Sequence, residues 1–466
     1  MCRIPMRRGS VPEEKGGDNM LHSLSRFFTL LVKRYLPDAY LFVILLTFVT
    51  FTAAFIFTPA SCLDLVYAWG RGISSLLMFT IQSALIYTTG HALASTTAVR
   101  NLLSAVAGIP RSPFQAALMA FYVTALGSLF NWGFGLVVGG LVAREMARRV
   151  PNMDYGFTVA AGYSGFVVWH GGFSSAIAAD LATQGGILSK ALAGRNLPDM
   201  VIPFSDSILS TYNITITGLM LVVLPFMLKA IRPHDDEIQP VDPTLFAEEH
   251  ELKVPPKEDT PASKMEHSRI LTLLFSLLGF TYLGYHFWSK GLDINLNILI
   301  IIFMWLGIFL HKTPIRYVAA LKDAVSGASG IITQFPLYGG IQGMMISSGL
   351  AAMISNAFVS IAPAKTYPLL TFFAAGFINM FVPSGGGQWI VQAPITVPAA
   401  LDLGANGGLV GMAVAYGDQW SNMIQPFWAL PMLAIAKLGV RDIMGPCIMT
   451  LFFSGAIMAA GLYFFA

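Results

Sequence analysis

The chain has 466 residues, of which 55% are hydrophobic and 11% are charged, and its formal net charge at pH 7 is +3. Soluble domains carry about a quarter charged residues, so this composition excludes an ordinary soluble domain, and the small net charge gives no indication of a nucleic-acid partner. The three cysteines, Cys2, Cys62 and Cys447, are too scattered for a disulfide framework or a metal motif.

The beginning of the chain is basic, and no long apolar run starts before residue 40. We interpret residues 1–38 as a basic cytoplasmic tail. Apolar runs near 20 residues or longer follow through most of the chain, which is the length that a helix needs to cross a bilayer. The pattern predicts an all-α, polytopic helical membrane protein.

A polar segment divides the apolar pattern. Residues 232–269 combine prolines with closely spaced acidic and basic residues, which is typical of an extended connector. We therefore predict a first transmembrane repeat at 39–231, a cytoplasmic linker at 232–269, and an extra helix with a second transmembrane repeat at 270–466.

Charge predicts the orientation, because basic residues in short loops stay on the cytoplasmic side. Two basic clusters lie between apolar runs: Arg144, Arg148 and Arg149 in the first half, and Lys312, Arg316 and Lys322 in the second. With the tail and the linker also inside, the run at 40–59 goes outward and the run at 294–311 returns inward.

The two halves resemble each other weakly. Three landmarks recur in the same order and at similar spacing, namely Tyr87 and Tyr338, Asn131 and Asn379, and Tyr163 and Tyr416. This register pairs 40–59 with 294–311, which the charges place in opposite directions. An inverted repeat follows, which is a transporter architecture with its site between the repeats. Because identity between the halves is low, chance similarity is the competing explanation.

The stretch from Gly376 to Pro394 interrupts an apolar run with residues that break helices. Proline removes a backbone donor, and the three glycines at 385–387 make a fixed helix entropically costly. In lipid, such backbone is tolerated only where it is buried in protein or lines a polar cavity. We therefore expect discontinuous helices or re-entrant hairpins, where transporters hold anions and coupling ions.

Substrate-binding residues are predicted where both halves break. Side-chain amides both donate and accept hydrogen bonds, and the N-terminus of a half-helix offers oriented N–H groups. A histidine followed by two glycines can reach a cavity and titrates near neutral pH. The alternatives are that Asn, Ser and Gln merely hold helices together, and that the histidine is neutral and bonded to a carbonyl. The candidates are Asn131, Gly133, His170, Asn379, Ser384, Gly385, Gly386, Gly387 and Gln388.

The coupling ion is assigned to a second polar cluster. Asp418 lies in an apolar run, where an aspartate costs about 2.5–3.5 kcal/mol on insertion scales, so a functional role is the default hypothesis. We predict that Asp418, Gln419 and Asn422 bind the coupling ion, with Na⁺ near Asn379 and Asp418 as one option and H⁺ as the other. The alternative is a structural Asp that caps a half-helix. Asp180 and Asp206 lie nearer segment ends and favour interface positions.

Four motifs resemble those of the bacterial short-chain fatty acid transporter family. They are Phe-Asn-Trp-Gly-Phe-Gly at 130–135, Val-Trp-His-Gly-Gly-Phe-Ser at 168–174, Val-Pro-Ser-Gly-Gly-Gly-Gln-Trp at 382–389 and Tyr-Gly-Asp-Gln-Trp-Ser-Asn at 416–422. The resemblance implies uptake of short monocarboxylates such as acetoacetate and butyrate across the bacterial inner membrane. It also suggests kinship with a larger ion-transporter superfamily with re-entrant hairpins. This chain lacks that superfamily's Ser-Asn-Thr hairpin signature, so those Na⁺ ligands are not carried over.

The resulting hypothesis is a multi-pass symporter and not an enzyme. Its expected partners are a small monocarboxylate, the lipid bilayer and a second copy in a homodimer, and it needs no cofactor beyond Na⁺ or H⁺. A carrier for a related mono- or dicarboxylate is the alternative within the class. An intramembrane enzyme using His170 with Ser174 or Asp418 is the alternative outside it, although no HExxH, GxSxG or Cys/His motif occurs. A channel is the third option.

Overall fold

The computed structural model describes residues 20–192, 200–239, 254–291 and 293–466, and within these ranges the chain is largely α-helical and contains no β-strand. The all-α prediction is therefore confirmed for the described residues. Residues 1–19 of the predicted tail and 240–253 of the predicted linker lie outside them.

The described part of the first half contains the helices α1 to α11, and a 3-10 turn at Phe166–Gly171 directly follows α8. They are α1 (Met20–Tyr35), α2 (Ala39–Phe57), α3 (Cys62–Ser75), α4 (Leu77–Ala94), α5 (Thr97–Ala107), α6 (Pro113–Phe130), α7 (Trp132–Ala147), α8 (Tyr155–Gly165), α9 (Ala176–Leu181), α10 (Ile187–Leu192) and α11 (Thr211–Ala230).

Helices of the second half begin with a short helix after the linker. They are α12 (Pro261–Glu266), α13 (Arg269–Lys290), α14 (Leu296–His311), α15 (Pro314–Gly327), α16 (Ser329–Ser347), α17 (Leu350–Val359), α18 (Tyr367–Asn379), α19 (Gly385–Asp402), α20 (Gly407–Ser421), α21 (Pro426–Ala436) and α22 (Val440–Phe465).

Both expected helix breaks are present. Asn131 has extended backbone (φ −154°, ψ 124°), and its side-chain oxygen accepts the N–H groups of Gly133 and Phe134, so α6 ends and α7 begins around it. Ser384 has nearly the same conformation (φ −153°, ψ 110°) and accepts the N–H of Gly387, which starts α19 after α18. Side-chain oxygens at these N-caps replace the missing intrahelical acceptors. The discontinuous helices are therefore confirmed.

Six helical stretches in the described residues are long and apolar enough to cross a membrane, and a bent pair makes up to seven. The bent pair is α16 with α17, which meet at 66°. Exposed apolar side chains cover the outer helices, for example Ile270 and Leu278 on α13, as a lipid-facing surface requires. The chain is a multi-pass membrane protein.

The two halves share one order of elements and exchange contacts reciprocally. α2 packs on α16 while α14, its counterpart in the second half, packs on α4; α6 packs on α8 as α18 packs on α20. The landmark residues Tyr163 and Tyr416 likewise each donate a hydrogen bond to the opposite half. Tyr163 donates to the carbonyl of Asn422, and Tyr416 donates to the side chain of Asn213, which in turn donates to the carbonyl of Gly171. Such reciprocal contacts agree with an inverted repeat, which stays a prediction. The opposite membrane directions of α2 and α14 stay a prediction from charge.

One end of the molecule collects the basic clusters. Arg144 and Arg148 from the first half and Lys322 from the second line a single cavity of about 630 Å³, together with Pro255 of the linker. The linker also reaches α1, because Glu237 lies 2.8 Å from His22 and 3.3 Å from Arg26. Described linker residues thus contact both the basic clusters and α1, all of which are predicted to be cytoplasmic.

Candidate functional site

A histidine and an aspartate from opposite halves meet in the protein interior. His170 ends the 3-10 turn after α8, and its Nε2 lies 3.4 Å from Oδ2 of Asp418 on α20; neither side chain is exposed. The His170 ring is held by Ser175, whose Oγ is 2.8 Å from Nδ1, and its backbone N–H donates to Oε1 of Gln419 at 2.8 Å. At 3.4 Å the pair has an ion-pair distance, while Nε2 and Oδ2 both lack a hydrogen bond in the described part of the chain.

The first residue of the broken helix α19 lies against this pair. A Cβ added to Gly385 would be 2.9 Å from Oδ2 of Asp418 and 3.1 Å from Nε2 of His170. Real Cβ atoms do not approach so closely to an oxygen without displacement, so the position accepts only glycine without rearrangement. The N-terminal end of α19, with its free N–H groups and positive partial charge, therefore opens beside the His170–Asp418 pair.

Asn379 ties the end of α18 to the end of α20. Its Nδ2 donates to the carbonyl of Asp418 and Oγ of Ser421 at 2.9 Å, and to Oδ1 of Asn422 at 2.8 Å. Gln425 closes the network by donating from Nε2 to the carbonyl of Asn379 at 2.9 Å. The breaks α18–α19 and α20–α21 thus form one polar centre.

Three oxygens of this centre are buried and accept no hydrogen bond from the described residues: Oδ2 of Asp418, Oδ1 of Asn379 and Oε1 of Gln425. Carboxylate and amide oxygens are the ligand types that hard cations take. Nε2 of His170 and Nε2 of Gln419 are buried nitrogens without a partner among the same residues. The centre can therefore serve a small cation or a proton on one side and an anion on the other.

Residues 20–465 match the family model described as the short chain fatty acid transporter. The chain belongs to this family. It is 45% identical over 447 residues to a protein of Escherichia coli (strain K12) and 44% identical over 446 residues to one of Haemophilus influenzae, both named "Putative short-chain fatty acid transporter". Each match covers 96% of this chain and 100% of the relative. As a member of a transporter family, the chain is a transporter and not an enzyme.

Two solved structures show a weaker likeness. One is MtrF of Neisseria gonorrhoeae, described with a class of antimetabolite efflux pumps, at 14% identity and a TM-score of 0.40 over 94% of this chain and 97% of that one. The other is the YdaH transporter of Alcanivorax borkumensis, at 16% identity and a TM-score of 0.40 over 92% and 99%. At such scores neither structure carries a conclusion about this chain.

In this short-chain fatty acid transporter family member, the first break lies beside the polar centre and not within it. Nδ2 of Asn131 donates to the carbonyl of Ile294 at 3.4 Å, and Gly133 lies against Ile86. The structure therefore joins neither Asn131 nor Gly133 to His170 or Asp418 by a hydrogen bond. The link is indirect, because the N–H of Trp132 donates to Oγ of Ser174 at 2.7 Å in the loop after His170. Substrate binding by Asn131 and Gly133 stays a prediction.

The remaining candidates lie on the first turns of α19. Ser384 is the N-cap, Gly387 lies against the side chain of Gln342, and Gly386 has open space where a side chain would be. Gln388 is fully buried, and its Nε2 donates at 2.7 Å to the carbonyl of Ala375 and to Oε1 of Gln392. Gln388 therefore connects α18 to α19, and its role in substrate binding stays a prediction.

Aromatic rings lie between the first break and His170. The ring of Trp428 lies 4.9 Å from that of Trp132 and 5.6 Å from that of Trp169, with Phe166 stacked on Trp169 at 5.7 Å. Trp420, by contrast, donates its indole N–H to the carbonyl of Leu451 and packs toward α22. An apolar wall of tryptophan thus adjoins the polar centre.

Sequence reasoning missed Ser175, Asn213 and Gln342. Ser175 follows the His-Gly-Gly motif closely, so the motif offered a signal for it. Asn213 and Gln342 are single polar residues within apolar helices, and only their contacts with Tyr416 and Gly387 show their importance.

Proposed function

We propose that this protein is an ion-coupled symporter of short-chain fatty acids such as acetoacetate and butyrate, in the bacterial inner membrane with its N-terminus and linker in the cytoplasm. The observation that carries the proposal is the position of Gly385, which brings the start of a broken helix against His170 and Asp418. Membership in the short chain fatty acid transporter family supports the substrate class.

The anion half of the site consists of His170 and the first N–H groups of α19. A short fatty acid has one carboxylate, and an imidazole N–H with a helix N-terminus supplies donors for one. Between residues 323 and 436 Lys365 is the single lysine or arginine in the sequence, so this region offers no paired basic clamp for a dicarboxylate.

The hydrocarbon tail binds against the tryptophan wall. Trp169 and Trp428 are almost fully buried, and Trp428 also contacts Trp132. Each buried methylene contributes about 0.8 kcal/mol, so the apolar surface that these rings offer selects the preferred acid.

The cation half consists of Asp418 with Asn379, Gln419, Asn422 and Gln425. An unneutralised Asp418 repels a carboxylate bound at His170; two unit charges 4 Å apart repel by roughly 4 kcal/mol at an effective dielectric constant of 20. Na⁺ on the unpaired oxygens or a proton on Asp418 removes this repulsion. Because coupling between two bound species is reciprocal, the acid then also strengthens binding of the cation.

Uptake into proteoliposomes tests the proposal. Labelled acetoacetate and butyrate are offered with an imposed Na⁺ gradient, an imposed pH gradient, both or neither, and empty liposomes correct for passive entry of the neutral acids. We expect saturable accumulation that depends on one of the two gradients and is competed by short monocarboxylates. Uptake that depends on neither gradient indicates a channel or uniporter. The absence of protein-dependent uptake of both acids rejects the proposal.

A further inference from the structure

The cavity at the basic end of the molecule is separate from the polar centre. α21 begins next to Gln425, which contacts Asn379, and ends at Lys437, which lines the cavity. Its 11 residues span about 16 Å at 1.5 Å per residue. The cavity of about 630 Å³ therefore lies one helix length from the site proposed for the fatty acid.

Positive charge dominates the cavity wall. Lysine, arginine and histidine line it from both halves of the chain, against two carboxylates, Glu145 and Asp323. Glu145 is already paired with Arg148 and Arg149, each at 3.2 Å. The basic residues are His91, Arg100, Arg144, Arg148, Lys322 and Lys437.

An arginine and a histidine that line the cavity are hydrogen-bonded to each other. Nη1 of Arg144 lies 3.2 Å from Nε2 of His91, and each residue is only 8% exposed. A guanidinium has no acceptor, so Nε2 of His91 must accept and its Nδ1 must carry the proton. That Nδ1 is buried and has no hydrogen-bond partner in the described part of the chain. Both residues line the cavity, so its wall holds a guanidinium next to a neutral imidazole.

Size and charge indicate the class of anion. A cavity of this volume is in the range that holds drug-sized ligands, well beyond the needs of a four-carbon acid with one charge. Arginine forks match phosphate oxygens, and basic pockets between membrane helices on the cytoplasmic side bind phosphorylated headgroups. The rim helices α5 and α15 expose apolar residues, including Leu102 at 63% and Val325 at 54%, which suits a ligand at the lipid boundary.

We propose that the cavity lined by His91, Arg144 and the neighbouring basic residues binds a phosphate-bearing anion, either the headgroup of an anionic phospholipid or a soluble compound with linked phosphates. This site is distinct from the fatty-acid site and does not depend on the transport proposal. A ligand there bridges α5 and α7 of the first half and α15 of the second, and so stabilises the cytoplasmic end.

Thermal unfolding of the purified full chain in neutral detergent, followed by tryptophan fluorescence, provides the test. Four probes are titrated: diphosphatidylglycerol, phosphatidylcholine as the zwitterionic control, pyrophosphate with ADP, and butyrate. The double variant Arg100→Gln/Lys322→Gln removes two cavity charges, and Arg71→Gln/Lys290→Gln removes two charges elsewhere on the surface. The single variant Lys322→Gln changes one exposed residue, so we expect it to fold normally.

We expect a phosphate-bearing probe to raise the melting temperature saturably. Its affinity should fall roughly 25-fold in the cavity double variant and about fivefold in Lys322→Gln, and stay unchanged in the control pair. A response to diphosphatidylglycerol alone assigns the site to lipid, and a response to pyrophosphate or ADP assigns it to a soluble ligand. A response to butyrate alone, equal losses in both double variants, or no response to any phosphate overturns the proposal.

Discussion

The indole N–H of Trp389 donates to Oδ2 of Asp180 at 2.7 Å, and this hydrogen bond fastens the broken helix α19 to the first half of the chain. Asp180 also accepts the N–H groups of Ile187 and Leu188 at the start of α10, at 2.8 and 3.0 Å. One carboxylate therefore caps a helix in one half and holds a helix of the other. It is a positioning residue for the site at Gly385.

Replacing Trp389 by Phe tests this fastening, because the ring stays while the donor is lost. A hydrogen bond to a charged group contributes about 1.5–3 kcal/mol, so we expect a lower melting temperature. We also expect faster hydrogen exchange in the first turns of α19. Trp420→Phe is the matched control, since it removes an indole bond to Leu451 outside this contact. Unchanged exchange in α19, or the same change in both variants, would contradict the role of Asp180.

Gly385→Ala should strongly reduce uptake while leaving the protein folded. The added Cβ would lie within 3.1 Å of His170 and Asp418 and push the pair apart. We expect uptake in proteoliposomes to fall by about tenfold or more, because misplaced site groups lose their oriented contacts. Gly218→Ala on α11 is the control, as its Cβ would meet no atom within 4 Å. Normal uptake by Gly385→Ala would remove the central contact of the proposed site.

Asp418→Asn should separate binding from energetic coupling. The amide resembles the neutralised carboxylate, so the repulsion of the bound acid disappears without a cation. We expect exchange of labelled for unlabelled acid to continue, while accumulation driven by Na⁺ or H⁺ gradients is lost. Both fluxes are measured in the same proteoliposomes. Asp206→Asn, an exposed acid, serves as the control. Gradient-driven accumulation that survives in Asp418→Asn would show that the coupling ion binds elsewhere.

Trp428→Phe should shift the preference toward longer acids. The smaller ring leaves more room beside Trp169, and each added methylene contributes about 0.8 kcal/mol, which is roughly fourfold in affinity. Competition of labelled butyrate uptake by acids of four to eight carbons measures the shift. Trp288→Phe is the control, because Trp288 is 90% exposed on α13. An identical order of inhibitors in wild type and Trp428→Phe would place the hydrocarbon tail away from this wall.

The features that could be predicted from the sequence depend on the residue types within a few neighbouring positions. Proline, serine and glycine at 383–387 break a helix wherever they occur, and Asn131 and Ser384 cap the helices that follow. The class of protein and the broken helices therefore followed from residue types alone. The correspondence of the halves was also visible, since Tyr163 and Tyr416 recur in one order.

Only the tertiary structure decided which of these residues meet. His170 joins Asp418 and Gly385 because the 3-10 turn after α8 packs against α20, whereas Asn131 turns toward Ile294. Asn213 belongs to the site through contacts between distant segments, and no spacing pattern in the sequence predicts them. Helix propensity and apolar length act over a few neighbours, so they determine the elements along the chain. Side-chain packing between the halves acts across the whole molecule, and it alone brings a histidine and an aspartate together.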